Sequence, residues 1–379
     1  MALKFIHISD SHLGFSDLDI TGNDGRNIRE EDVYKAFSGA VDIIIKENPD
    51  FVLHTGDIFH RSSPTNRAIV IAAREIQRIA NAGIPFYMIA GNHDYPKSVF
   101  TSPIHEIYRI NDSVNIAYSE KLEIFEEDNF ILHLLPHVND EEKFLQEVEK
   151  IKITDKTKPN ILAMHIAVSS YAMNEYGERV FPVEKTPMLK KFDYVALGHW
   201  HKFNHLKKYG NVYYAGSTER TSESQTGYDK GIVKVTVSGK TTVEFIPLKL
   251  RRYEKIVVDN CKGKSFNEII SEIKKQLNKD KIEGGIFRIK LNDLPIEKAS
   301  EFSRAVFEDL LEDALHFNVE KNIYGVQQTI EIDSESFDLK NFILDELAAE
   351  FKGKDFLKVK NLTEKLWYEI EEEEAYADQ

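Results

Sequence analysis

Short apolar, β-branched runs recur along the first two hundred positions, and each stops at a polar group. Lys4-Phe-Ile-His-Ile8 leads to Asp10, Phe51-Val-Leu-His54 to Asp57, Pro85-Phe-Tyr-Met-Ile89 to Asn92, Asn160-Ile-Leu-Ala-Met164 to His165, and Tyr194-Val-Ala-Leu197 to His199. Continuous apolar runs this short read as buried strands. Between them lie stretches of helical periodicity, Glu31 to Asn48 and Thr65 to Ala82, the second stopped by Gly83-Ile-Pro85. Strands alternating with helices predict a layered α/β core. The polar side chains would then leave the carboxyl ends of the strands, where open α/β sheets build their sites.

After Ile151 the pattern turns strand-rich, through Asn211-Val-Tyr-Tyr214, Gly231-Ile-Val-Lys-Val-Thr-Val237 and Thr241 to Leu248. Between Phe15 and Arg29 runs a polar, Gly- and Asp-rich loop of the kind that contacts substrate or is mobile. From about Arg251 a small α+β unit is predicted: strand Tyr253 to Val258, helix Ser265 to Asn278, strand Gly285 to Leu291, helix Lys298 to Ala314 and strand Leu315 to Glu320. In the last segment Leu339, Phe342, Ile343, Leu347 and Phe351 repeat at helical spacing, as do Val359, Leu362, Leu366 and Ile370, with Gly353 and Asp355 dividing two short helices. So small a pair cannot bury its apolar stripes alone and must pack on its own domain or on a partner. The 379 residues exceed what one core usually organises, and the expected division is 1–250, 251–325 and 336–379.

The strand-end groups share one chemistry. Asp10-Ser-His12, Gly56-Asp57, Gly91-Asn92-His93-Asp94, His165 and Gly198-His199-Trp-His201 supply carboxylate, amide and imidazole donors. The oxygens favour hard cations and the imidazoles borderline first-row ions, so manganese or iron suits the mixture, with zinc possible. Cys261 is the only cysteine, which excludes thiolate zinc sites and disulfide frameworks. Two ions about 3.5–4 Å apart stabilise both the attacking and the leaving oxygen of a displacement at phosphorus, and phosphoester hydrolysis is the chemistry expected. His7 and His54 lie inside strands and are expected to be hydrogen-bonded core residues. His105, His133, His137, His205 and His316 match no motif, and Asp94 is expected to orient His93 or cap a turn.

In this order the groups resemble the signature motifs of the calcineurin-like metallophosphoesterase superfamily. Asp10-Ser-His-Leu-Gly14, Gly56-Asp-Ile-Phe-His60, Gly91-Asn-His-Asp94 and Gly198-His-Trp-His201 match them. Leu13-Gly14, His60 and Ala215-Gly-Ser-Thr-Glu-Arg220 are similar to the SbcD/Mre nuclease branch, which processes DNA ends at double-strand breaks. The resemblance implies an α/β (α+β) fold: a two-sheet metallophosphoesterase sandwich flanked by helices, with a small α+β capping domain and a C-terminal helix pair. It implies two Mn2+ ions, with Mg2+, Fe2+ or Zn2+ as substitutes. One would be held by Asp10, His12 and His201, the other by Asn92, His165 and His199, with Asp57 bridging. His93 would face the scissile phosphate as a general acid, a role suited to imidazole, and His60 is a second candidate for phosphate contact.

The resembling family acts as a 3′-to-5′ exonuclease on duplex ends and an endonuclease on single strands and hairpins. Its implied partners are DNA ends beneath the cap, an SMC-like ATPase of the SbcC/Rad type gripped by 336–379, and a second copy in a homodimer to which Val99 to Asn111 contributes. Arg251, Arg252 and Lys255 are candidates to meet DNA phosphates. The net charge of −14 runs against nucleic-acid binding, but −6 of it falls within 336–379. Two divalent ions would add up to about +4 in the cleft. Weak, salt-sensitive DNA binding by this subunit is therefore expected, with the ATPase supplying much of the grip. No run approaches the roughly 20 apolar residues of a membrane span, and the chain enters its first strand without a basic, apolar leader. A cytoplasmic, nucleoid-associated prokaryotic location is expected. The alternative substrate class is a phosphomonoester or a small-molecule phosphodiester; a metal-free scaffold would lack ligands, and none is missing.

Overall fold

The computed structural model describes residues 2–96, 102–110, 112–168, 178–277 and 282–324. The expected helix pair of 336–379 and part of the 99–111 stretch lie outside the described residues. Strand β1 (Leu3–Ile8), helix α1 (Ile28–Glu47), β2 (Phe51–His54), α2 (Asn66–Asn81), β3 (Phe86–Ile89) and β4 (Val114–Ala117) build the first half. Then follow β5 (Glu123–Glu126), β6 (Ile131–Leu135), α3 (Glu141–Lys150), β7 (Asn160–His165), β8 (Ala167–Val168), β9 (Val180–Phe181), β10 (Tyr194–Gly198), β11 (Asn204–His205), β12 (Val212–Tyr214), β13 (Gly231–Ser238) and β14 (Lys240–Pro247). A third group comprises β15 (Tyr253–Val258), α4 (Phe266–Gln276), β16 (Ile286–Leu294), α5 (Arg304–Glu308) and β17 (His316–Ile323).

The strands form two six-stranded sheets, in the orders β14-β13-β1-β2-β3-β4 and β11-β12-β10-β7-β6-β5, and a third of β15-β16-β17. Within the first sheet β1 to β4 run parallel, and within the second so do β12, β10, β7 and β6, while antiparallel strands close both edges of the second sheet and the β14 edge of the first. Alternation along each strand explains the layering. Phe5, Phe51, Leu53, Tyr87, Ile161, Ala163, Tyr194 and Val233 meet between the two sheets. Ile6, Ile8 and Val52 point the other way, onto α1 and α2, and Leu162, Val195 and Leu197 pack outward with Phe144 and Val148 of α3. This is the helix-flanked two-sheet sandwich expected from the sequence. Parallel strands buried on both faces read as unbroken apolar runs, which is why they were visible.

Helix boundaries follow from local chemistry. Thr65 caps α2 by accepting from Ala68 N, and Gly83, at φ 76°, ends it. The expected helix Lys298 to Ala314 is not formed: the chain makes successive short turns, with only Arg304–Glu308 helical. Phe302, Phe307 and Leu311 are its buried apolar anchors, and the first two stand five positions apart, out of phase for one helical stripe. Among the described residues no helix is long and apolar enough to cross a membrane.

The third sheet joins the sandwich through a buried charge cluster. Arg29, 1% exposed, reaches Asp17 (3.2 Å), Asp32 (2.9 Å) and Glu219 (3.7 Å), and donates to Arg220 O (2.8 Å). Arg251 grips both oxygens of Asp32, at 2.6 and 2.9 Å, and donates to Gly284 O at 2.6 Å. Arg288 of β16 also pairs with Glu223. Arg251 is thus committed to the junction, and Arg252 pairs with Glu254; of the basic run considered for phosphate contact, Arg251 is a structural residue.

Candidate metal centre

The loops leaving β1 and β2 run side by side, with Asp10 N donating to Gly56 O (3.1 Å), His12 N to Asp57 O (3.0 Å) and Leu13 N to Ile58 O (2.8 Å). The backbone is left-handed at Asp10 (φ 49°), His12 (φ 45°), Asp57 (φ 54°) and His199 (φ 91°). Such conformations cost a non-glycine residue about 1–3 kcal/mol and persist where the surroundings over-determine them. Here they turn side chains into the crevice where both sheets end. A Cβ on Gly91 would strike the Asp57 carboxylate, and one on Gly198 would strike Thr55 O and the His165 ring. Those two glycines are the room that the carboxylate and the imidazole use.

Asp57 is the meeting point. Its Oδ1 accepts from His93 N (2.9 Å), and its Oδ2 lies 3.2 Å from His165 Nε2 and 3.9 Å from His12 Nε2. His165 donates through Nδ1 to Thr55 O (2.7 Å), because a carbonyl can only accept, and its Nε2 faces Asp57 and stands 3.0 Å from Asn92 Oδ1. On the other side His201 Nε2 lies 3.0 Å from His12 Nε2 and 3.7 Å from Asp10 Oδ1, while Asp10 accepts from His199 N (3.0 Å). Ligand atoms of Asp10, His12 and His201, of Asp10, Asp57 and His165, and of His12, His60 and His93 gather within 4.8 Å in each group. The structure therefore brings all nine side chains singled out in the sequence to one crevice.

The electrostatics favour cations. Burial raises the Asp10 carboxyl, and Asp57 adds to this as a second anion. Burial works against ionisation of Asp57 too, yet His165 holds that carboxyl well below its ordinary range. Burial opposes charge on His165, but Asp57 pushes it up to about 10. Burial holds His12 at about 3, lowers His60 to about 4 and pulls His201 well below its usual value, leaving these rings neutral and able to donate lone pairs. Two ligands at right angles on one ion, with bonds of about 2.1 Å, stand about 3.0 Å apart. That is the spacing of His12 Nε2 from His201 Nε2, and of His165 Nε2 from Asn92 Oδ1. The residues fit a divalent cation.

A 340 Å³ cavity opens on the centre, lined by His12, Asp57, His93, His199, His201 and Tyr228 among others. A 930 Å³ hollow at the junction with the third sheet shares Tyr228 and carries Arg220, Arg252 and Lys255. Sequence reasoning missed the residues that orient the imidazoles. Glu178 lies 2.7 Å from His199 Nε2, and Thr221 and Gln225 meet His201 Nδ1 at 3.1 and 2.9 Å. Lys230, 2% exposed, donates to His201 O, Ser217 Oγ and Gln225 Oε1. Burial, with the Arg220 charge next, brings its pKa to about 7. Its one signal in sequence is a lysine abutting the apolar run from Gly231. His7 and His54 are the core residues expected, bonded to Tyr194 and Thr55 and to Ser11. Asp94 caps the turn, accepting from Gly91 N and Ile58 N.

A two-sheet sandwich whose strand ends present this donor set defines a metal-dependent phosphoesterase. The chain belongs to the calcineurin-like phosphoesterase family, whose pattern matches residues 3–203. It is 29% identical over 302 residues to the DNA double-strand break repair protein Mre11 of Sulfurisphaera tokodaii, covering 78% of this chain and 75% of that protein. Against the protein of the same name from Methanocaldococcus jannaschii it is 29% identical over 300 residues, 76% of this chain and 77% of that one. Against that of Thermoplasma acidophilum the identity is 27% over 322 residues, with 80% and 81% covered.

Proposed function

We propose that the chain is the dimanganese DNA nuclease subunit of a double-strand-break repair complex, a 3′-to-5′ exonuclease on duplex ends and an endonuclease on single strands. The observation that carries the reading is the convergence of donors from both sheets into groups no wider than 4.8 Å. Asp10, His12 and His201 would hold one Mn2+, and Asn92, His165 and His199 the other, with Asp57 shared; Mg2+, Fe2+ or Zn2+ are substitutes. The bound pair supplies charge against the phosphoryl oxygens and activation of the attacking water.

The chain's own groups do the rest. Asp57 holds the His93 loop against the centre through His93 N. His93 Nδ1 donates to His60 O at 3.3 Å, which leaves Nε2 as the atom to face a bound phosphodiester. Protonated there, it gives its proton to the ribose oxygen as the P–O bond breaks. His60 stacks on His93 with an interplanar angle of 18°, beside the same crevice, and would make the second phosphate contact. Lys202, beside the Tyr228 ring at the cavity wall, presents a cation to neighbouring phosphates.

DNA as substrate is supported by the double-strand break repair proteins to which most of the chain is similar. The basic residues of the hollow beside the centre add to it. On this reading 1–250 is the nuclease domain, 251–325 caps DNA ends, and 336–379 binds an SMC-like ATPase of the SbcC/Rad type. The protein works as a homodimer at the nucleoid. The test is incubation of pure protein with Mn2+, an end-labelled duplex and a generic phosphomonoester. Label should leave the duplex preferentially, and His93→Ser should abolish turnover while retaining bound Mn2+; preferential hydrolysis of the monoester would overturn the DNA reading.

A further inference from the structure

At the end of the second sheet opposite the metal centre, a 610 Å³ cavity lies between the connection from α3 to β7 and the turns Val183–Lys191 that precede β10. β7 begins beside it at Asn160 and ends at His165, and at about 3.3 Å per residue the strand carries the chain about 17 Å from one site to the other. The cavity is therefore no part of the catalytic crevice. Lys152, Lys156, Lys158 and Lys191 stand around it, and Ile153 and Met188, partly buried against the core, give it an apolar wall.

Lysines nearby have carboxylates to meet. Lys143 pairs with Glu120 at 2.7 Å, Lys150 with Glu147 at 2.5 Å and Lys185 with Glu149 at 2.5 Å. Those of the cavity do not. Lys158 donates to a carbonyl, Glu127 O, at 2.7 Å, and among the described residues no carboxylate pairs with Lys152, Lys156 or Lys191. The one acid in the wall, Asp193, is taken up by the fold, its Oδ2 accepting from Asn160 N at 2.8 Å. In a chain of net charge −14, four ammonium groups thus face one concavity without a counter-charge. Like charges gathered so closely repel, and an anion placed among them removes that cost.

We propose that this cavity binds a nucleoside polyphosphate, with the phosphates among the four lysines and the base against Ile153 and Met188. Its volume falls within the roughly 300–1,000 Å³ of small-molecule sites, which combine apolar walls with a few convergent polar groups. A bare anion would need no apolar wall, and a duplex is too wide to enter. Four ammonium groups match a triphosphate better than a monophosphate. The site is independent of the metal-centre reading, since none of its residues belongs to that crevice.

The experiment is calorimetric titration of the full chain, in chelator and at low salt, with ATP, AMP, adenosine and tripolyphosphate. ATP should bind at one site per chain. AMP, which forgoes charge-assisted bonds, and tripolyphosphate, which forgoes apolar burial, should each bind about tenfold or more weakly, and adenosine should give no heat. Lys152→Ala combined with Lys191→Ala should weaken ATP by about tenfold or more, whereas Lys202→Ala, at the wall of the metal-centre cavity, should leave its affinity unchanged. No ATP binding, or binding lost in Lys202→Ala and kept in the double variant, would overturn the proposal. Tripolyphosphate binding as tightly as ATP would overturn it too, by reducing the cavity to an unselective anion site. If the double variant does not fold, hydrogen exchange of the wild type decides: ATP must protect 151–160 and 188–193, and protection confined to the metal centre overturns the assignment.

Discussion

Glu178 and His199 meet through a 2.7 Å bond between a carboxylate oxygen and Nε2, with the two side chains 4% and 5% exposed. A carboxylate accepts, so the ring carries its proton on Nε2 and offers Nδ1. Carboxylates that orient ligating imidazoles typically contribute 10–100-fold in metal affinity. Glu178→Ala should therefore weaken Mn2+ binding by about that factor while leaving the melting temperature in chelator within a few degrees of wild type. Calorimetric titration measures the first and thermal scanning the second. Unchanged affinity would remove Glu178 from the centre.

A cation that binds only the folded chain stabilises it by mass action, by about 2.7 kcal/mol per site at a hundred times Kd. Adding Mn2+ to chelator-treated protein should raise the urea midpoint accordingly. Asp57→Asn, which removes the carboxylate facing both His165 and His12, should abolish most of that gain. An equal Mn2+ response in the variant would show the ions bind elsewhere.

His7 and His54 have no exposed surface, and burial holds both at about 3. The unfolded chain protonates them near 6.5, so between about pH 6.5 and 3 it binds more protons than the folded one. Stability must then fall with pH, by up to about 1.4 kcal/mol per unit for each histidine. Denaturation midpoints between pH 7 and 4 in chelator should show the decline, and His54→Gln should make it shallower. The same slope in the variant would contradict the assignment.

Arg29, itself buried, compensates the charges of buried Asp32 and Glu219 and of the partly exposed Asp17. Removing one partner of a buried ion pair typically costs about 3–5 kcal/mol, because the other charges stay behind. Arg29→Met should lower unfolding stability by about that amount. Arg251→Ala, at the edge of the cluster, should cost less and chiefly expose the linker to protease. Equal effects would mean that the cluster does not act as a junction.

The strands and the side chains gathered in the crevice were legible for the same reason. A strand buried on both faces admits no alternation, so Phe51-Val-Leu-His54 announces itself, and the first polar residue beyond it marks the strand's end. What the sequence could not reveal depended on pairs brought together by the fold. Glu178 has no spacing relation to His199, and Lys230 meets His201 only because β13 returns beside β1. Arg251 read as a surface cation because its partner Asp32 is 219 residues away. The missing helix after Lys298 failed differently, since local propensity suggested it but Phe302, stacked against Phe266 of α4, and Phe307 are buried out of helical phase.

Asp10 must wait for His199, 189 residues downstream, before the centre exists at all. At 5–20 residues per second a ribosome takes roughly 10–40 s to make that stretch. For all of that time the nascent polypeptide is incapable of cutting anything, although its first acidic ligand has long been translated. A centre built from both halves of the sandwich thus comes into being only once the second sheet has been synthesised.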